Sequence, residues 1–161
     1  MQRYLLRTVA AFFMTISSGF LFAQTWATAV SKHQTEDRAI VFRFIKDFPG
    51  GLQRSAYPDR IILVWRYQSV SGMPSRTERE HMDKLEDLLT PLVEANGVST
   101  LVLVSTGEHF REWTYYAKTE GEFLTKLDEA LRSQAPFPIE IHAAPDPSWS
   151  TYERFRKSIK Q

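Results

Sequence analysis

The run IILVWRY, residues 61–67, is apolar at both alternating sets of positions until Arg66. Successive side chains of a β-strand point to opposite faces, so this run belongs to a strand covered on both sides. The chain must therefore build a sheet with apolar structure against each face.

The segments that follow supply that structure. After Gly72, Met73 and Pro74, the stretch SRTEREHMDKLEDLLTPLVEA sets Met82, Leu85, Leu88, Leu89, Leu92 and Val93 at helical spacing. Ser75 and Glu78 form a capping-box pair, in which each side chain satisfies the other's free backbone N–H. Pro91 lacks the amide that would bond back one turn, so it should kink this helix or end its regular part. STLVLVST, residues 99–106, is a second buried strand; Gly107 turns it, and FREWTYYAK, residues 110–118, returns antiparallel. Thr119 and Glu122 repeat the capping spacing ahead of an apolar stripe made by Phe123, Leu124, Leu127, Ala130 and Leu131. FPIEIHA, residues 137–143, alternates as a short strand. Asp146, with Pro147 at the first helical position, then predicts the cap of a final helix bearing Trp149, Tyr152 and Phe155.

Upstream, residues 26–31 and 38–45 read as two short strands joined by a hairpin through HQTED, and residues 46–58 as a loop with two prolines and two glycines. From residue 61 the order is strand, helix, strand, strand, helix, strand. That order predicts an α+β fold: a ferredoxin-like split βαβ core with two extra N-terminal strands and a short C-terminal helix. The two main helices cover one sheet face, and the additions cover the other or leave it partly open. Residues 24–161 contain no repeat or long linker and read as a single α+β domain.

Among 161 residues, 43% are hydrophobic and 13% aromatic, enough for one substantial core. The 20 basic residues face 19 acidic ones, so no large field of one sign favours nucleic acid or an anionic membrane, and no nucleic-acid partner is expected. With no cysteine, the chain has no disulfide, thiolate nucleophile, thiolate metal site or lipid-modified N-terminal cysteine.

The opening segment puts Arg3 and Arg7 ahead of an apolar run from Val9 to Ala23. Residues 1–23 read as a secretory signal peptide cleaved after Ala23, leaving an exported, periplasmic domain. The alternative is an inner-membrane anchor over residues 8–23, the one membrane contact expected, since no charge intervenes between Arg7 and Lys32. Thr15, Ser17, Ser18 and Gly19 dilute that run, whereas a spanning helix wants about 20 predominantly apolar residues, which favours cleavage. Loss of residues 1–23 removes two arginines and leaves 18 basic residues against 19 acids.

Several motifs recur together here: VWRY at 64–67, GMP at 72–74, LEDLL at 85–89, TGEHFREWTYYA at 106–117 and DPSW at 146–149. The combination resembles the bacterial family known as domain of unknown function 695, from about Trp26 to near the C-terminus. Its most specific part is T-G-x-x-x-R-E-W-x-x-Y. Relatives often carry a second glycine in the turn where this chain has His109. The resemblance implies a fold but no reaction, ligand or cofactor. Some relatives appear joined to a domain similar to the ribonuclease E inhibitor RraB, for which this chain has no room.

In the strand FREWTYYAK, Arg111, Trp113, Tyr115 and Ala117 share one face, and Glu112, Thr114 and Tyr116 the other. On one reading Trp113 and Tyr115 are core residues with their polar tips bonded at the rim, and Arg111 pairs with a carboxylate. On the sharper reading Glu112, Thr114 and Tyr116 line up with Arg66, Glu140 and His142 as a polar surface on a rigid sheet. The candidate ligand-binding residues are thus Arg66, Arg111, Glu112, Tyr116, Glu140 and His142. A deep pocket holding two of Glu112, Glu140 and His142 with perturbed acidity would favour an enzyme; a flat face would favour association.

Other chemistry is weakly signalled. Glu78 and His81 have the i, i+3 spacing of di-iron proteins, but one copy only, and Glu78 already has a capping role, so no metal is expected. His33, His109 and His142 have no ligand spacing. Ser105 and Thr106 lie near His109 without a nucleophile elbow or an orienting third group. FPGG, residues 48–51, lacks the lysine and spacing of a phosphate loop, and no cofactor is expected. Arg79 with Asp83, and Glu80 with Lys84, read as helix-supporting surface pairs. The sequence points to a non-catalytic module that binds a protein, peptide or envelope component. The alternatives are a small-ligand-binding protein or hydrolytic enzyme using Glu112, Tyr116, Glu140 and His142, or an accessory subunit pairing through a free edge strand.

Overall fold

The computed structural model describes residues 24–32 and 39–159. Its α+β architecture is one six-stranded antiparallel sheet with three α-helices. In chain order the elements are β1 (Thr25–Lys32), β2 (Ala39–Asp47), β3 (Asp59–Arg66), α1 (Arg76–Val93), β4 (Ser99–Gly107), β5 (Phe110–Ala117), α2 (Glu120–Leu131), β6 (Ile139–Pro145) and α3 (Ser150–Ser158). The sheet order is β1-β2-β4-β5-β3-β6. The doubly apolar strand β3 lies between β5 and β6, as its composition demands. The expected signal or anchor segment, the HQTED turn and Arg38 lie outside the described residues. Among the described residues no helix is long and apolar enough to cross a membrane.

α1 and α2 pack on one sheet face. Met82, Leu85, Leu89 and Val93 from α1 and Phe123 and Leu127 from α2 meet Ile61, Leu63, Trp65, Leu101, Val104, Trp113 and Tyr115. The Ser75 hydroxyl accepts the Glu78 N–H at 3.1 Å, but only this half of the expected box forms. The Glu78 carboxylate instead accepts the indole N–H of buried Trp65 at 2.7 Å, because a buried indole needs an acceptor. At α2 the Thr119 hydroxyl likewise accepts the Glu122 N–H, at 3.2 Å. Pro91 sits in the last turn of α1, which ends two residues later.

The other face carries a second core beneath α3. Phe155 packs 5.1 Å from Phe42 and 5.2 Å from Phe44 between ring centroids, while Trp149 and Tyr152 are enclosed with Tyr116, Val102 and Leu103. The start of this helix corrects the expectation drawn from Asp146 and Pro147. Trp149 takes a left-handed conformation (φ 56°), which delays helical geometry to Ser150, so Pro147 is not the first helical residue. Asp146 still caps, from further back: its two carboxylate oxygens accept the N–H groups of Ser150 at 2.8 Å and Thr151 at 3.0 Å.

The β4–β5 turn is a two-residue connection in which Glu108 (φ 52°) and His109 (φ 70°) are both left-handed. Such turns match the sheet's twist but favour Asn-Gly. Here the turn is held from outside. The His109 N–H donates to Gly72 O at 3.1 Å, and His109 O accepts the Tyr67 N–H at 2.9 Å. Gly107 is required by space as well as by φ (148°), since a Cβ there would stand 2.4 Å from Ala39 O on the neighbouring strand.

Candidate functional site

β1 and β2 extend the sheet beyond β4, and their helix-side surface forms the floor of a cleft whose wall is α1. Strand alternation sends Phe42 and Phe44 down to α3 and leaves Val41 and Arg43 facing the helix side with Val104 and Thr106. On α1, Arg79, Asp83, Glu86 and Asp87 are spaced by four, three and one residues, which sets all four on one flank. The resulting open cavity measures about 450 Å³ and holds three guanidinium groups and three carboxylates.

The inner charges are paired. Arg111, only 8% exposed, donates from Nε to Thr106 Oγ1 at 2.9 Å and from Nη1 to Asp83 Oδ1 at 2.7 Å. Glu86 accepts from the Trp113 indole at 2.9 Å through one oxygen and pairs with Arg43 through the other. The Arg43 guanidinium also lies over the Trp26 ring, 5.0 Å from its centroid. Arg79 and Asp87 differ: among the described residues neither joins an ion pair, so both signs are available at the rim. Deeper in, the Tyr115 hydroxyl is fully enclosed with no hydrogen-bond partner among the described residues, correcting the expectation that its tip reaches the rim. Burial pushes that hydroxyl well above the usual tyrosine range, and the charges of Glu86 and Glu94 add to the shift. Glu94 is raised as well, by burial first, against the Leu101 N–H that donates to it at 2.6 Å.

The sequence-derived candidates divide among three places. Arg111 lies in the cleft, paired with a carboxylate as one reading of its strand expected. Arg66, Glu140 and His142 come together on the opposite face near the β6 edge: Arg66 Nε donates to Glu140 Oε1 at 2.8 Å, and His142 Nε2 lies 3.4 Å from Glu140 Oε2. All three are exposed, and the Arg66 hydrogen bond holds the Glu140 carboxyl below its ordinary range. Glu112 shares that face but is separated from Glu140 by Val64, to which both are registered, a span of about 10 Å across two strand spacings. Tyr116 is enclosed beneath α3, with its hydroxyl donating to Asp146 at 2.8 Å. The cleft contains none of Glu112, Glu140 and His142.

Sequence reasoning missed Arg43, Glu86 and Asp87, and it assigned Arg79 and Asp83 to each other. Asp83 turns instead to Arg111, while Arg76 takes Glu80 at 2.8 Å, displacing the expected Glu80–Lys84 pair. One signal was present: an arginine in the apolar strand AIVFRFI and a four-charge flank on α1.

No curated protein matches the chain. Residues 24–155 match the model described as "Family of unknown function (DUF695)", a span that takes in all six strands and both the floor and the wall of the cleft, and the chain belongs to that family.

Proposed function

We propose that this protein acts by binding, and that the cleft between α1 and the β1–β2 extension receives a protein or peptide segment carrying charges of both signs. The observation that carries this reading is the contrast within the cleft. Arg111 and Glu86 are already paired and held in place, with Asp83 and Arg43 as their more exposed partners, whereas Arg79 and Asp87 offer opposite charges at the rim. Groups held before binding lose little conformational freedom when a partner arrives, and complementary charge selects among partners.

The test is site-specific photocrosslinking in the cell, with the crosslinker placed at exposed Thr28 in the cleft or at Lys126 on α2, remote from it. The expected result is a discrete protein adduct from Thr28 alone that is lost on Arg79→Glu substitution. Equal adducts from both positions, or none from Thr28, would sink the proposal. The alternative of a small-ligand or hydrolytic site on Glu112, Tyr116, Glu140 and His142 has less support: Tyr116 is enclosed, Glu112 is remote from Glu140, and Glu140 is held ionised.

Two further readings belong with this proposal. The order β4-β5-β3-β6 with α1 and α2 on one face supports a ferredoxin-like split βαβ core, to which β1 and β2 are added at the β4 edge. Export with cleavage after Ala23 is supported by the charged-then-apolar pattern of residues 1–23 and by a family match that begins at Gln24. N-terminal sequencing of the protein recovered from the producing cell decides the latter: a mature terminus at Gln24 supports it, and an intact Met1 favours the anchor.

A further inference from the structure

We infer a second binding site, unrelated to the charged cleft, that takes a small planar aromatic anion. It is a cavity of about 350 Å³ on the opposite flank of α1, closed by the segment leading into β6. Phe137 forms its aromatic wall over Trp65, which is only 4% exposed, Pro136 and Pro138 continue the apolar lining, and His81 and Lys84 stand on the α1 side. This site is independent of the proposed partner cleft and uses none of its residues.

Three observations converge on that ligand class. First, the aromatic wall is set in advance. The Trp65 indole N–H is tied to Glu78 at 2.7 Å, and its ring meets Phe137 at 5.9 Å between centroids with planes 60° apart. A flat apolar ligand therefore finds a surface that needs little ordering. Second, Lys84 is not neutralised from within. Its expected partner Glu80 is taken by Arg76, and among the described residues Lys84 makes no ion pair. His81 lies one turn before Lys84, so two groups able to donate to an anion share one side of the cavity. Third, the size fits: about 350 Å³ lies near the lower end of the range for small-molecule pockets, which are mainly apolar with a few placed polar groups. The carboxylate of such a ligand would meet Lys84 and His81 while its ring lies against Phe137 and the prolines, next to the buried indole of Trp65.

The probes are 2-naphthoate and its neutral amide, titrated into the protein expressed from its full sequence and followed by the NMR signal of the Trp65 indole N–H. The expected result is a saturable shift with the acid, and binding of the amide weaker by roughly fivefold or more, the size of one modest charge contact. Lys84→Glu, at an exposed position that leaves folding intact, should abolish the preference for the acid, and Phe137→Ala should weaken both probes. Asp87→Ala, in the other cleft, should change neither. No shift of the Trp65 signal with the acid, equal binding of acid and amide, or an unaltered acid preference in Lys84→Glu would each overturn the proposal.

Discussion

The indole of Trp149 lies flat on the ring of Tyr116, with centroids 4.1 Å apart and planes 9° from parallel. The stack joins the residue just before α3 to the middle of the sheet, and the Tyr116 hydroxyl extends it by donating to Asp146, which caps that helix. One side chain thus couples the strand to the helix start through both ring and hydroxyl. Tyr116→Phe keeps the stack and removes a hydrogen bond to a buried carboxylate, so it should destabilise the fold by about 2 kcal/mol. Urea denaturation measures this, and a change below about 0.5 kcal/mol would show that the hydroxyl adds nothing to stability.

Tyr115, the neighbouring tyrosine, should behave in the opposite way. Its hydroxyl is enclosed and has no hydrogen-bond partner among the described residues, and a buried polar group without one opposes folding. Tyr115→Phe is therefore expected to stabilise the protein by about 1 kcal/mol. The comparison of the two tyrosines under identical denaturation conditions is the check, and a loss of stability in Tyr115→Phe would contradict the assignment.

Asp146 sets an acid limit on α3. Burial alone would raise its carboxyl, but the Thr151 N–H, the Tyr116 hydroxyl and Ser150 outweigh that and hold it well below its ordinary value of 3.8. A folded pKa below the unfolded one means the unfolded state binds protons more readily, so stability falls as pH falls. The contribution is fully present above the unfolded value and is lost progressively as pH drops from there through the depressed folded value. Asp146→Asn should remove this part of the acid dependence; equally steep acid limbs for both proteins below pH 4 would place it elsewhere.

The β4–β5 turn allows two substitutions of opposite sign. His109→Gly relieves a left-handed residue at φ 70° and should stabilise by about 0.5–1 kcal/mol after glycine's entropic cost. Gly107→Ala drives a Cβ into the Ala39 carbonyl and should destabilise by about 3 kcal/mol. Thermal melts of both variants check the pair, and a destabilised His109→Gly would mean that the histidine side chain supports the turn.

The elements were legible because each carries a strong local pattern. β3 is apolar on both faces, α1 and α2 bear unbroken stripes, and Ser75 and Thr119 cap where their spacing indicates. Local pattern also indicated that Arg111 would meet a carboxylate. It could not indicate which one, because Asp83 lies 28 residues away and its helical neighbour Arg79 looked equally suitable. The cleft was illegible for the same reason on a larger scale: Thr28, Arg43 and Glu86 meet only once β2 pairs with β4, and nothing within either strand names its neighbour. The offset of α3 turned on the single left-handed residue Trp149, a type for which no propensity rule predicts that conformation.

The second core hangs on one short element. Trp149 and the α3 residues Tyr152 and Phe155 together cover the aromatic floor of Phe42, Phe44 and Tyr116. Undocking α3 would bare that floor while the packing of α1 and α2 on the other face stayed whole, which makes this nine-residue helix the latch of the molecule's aromatic side.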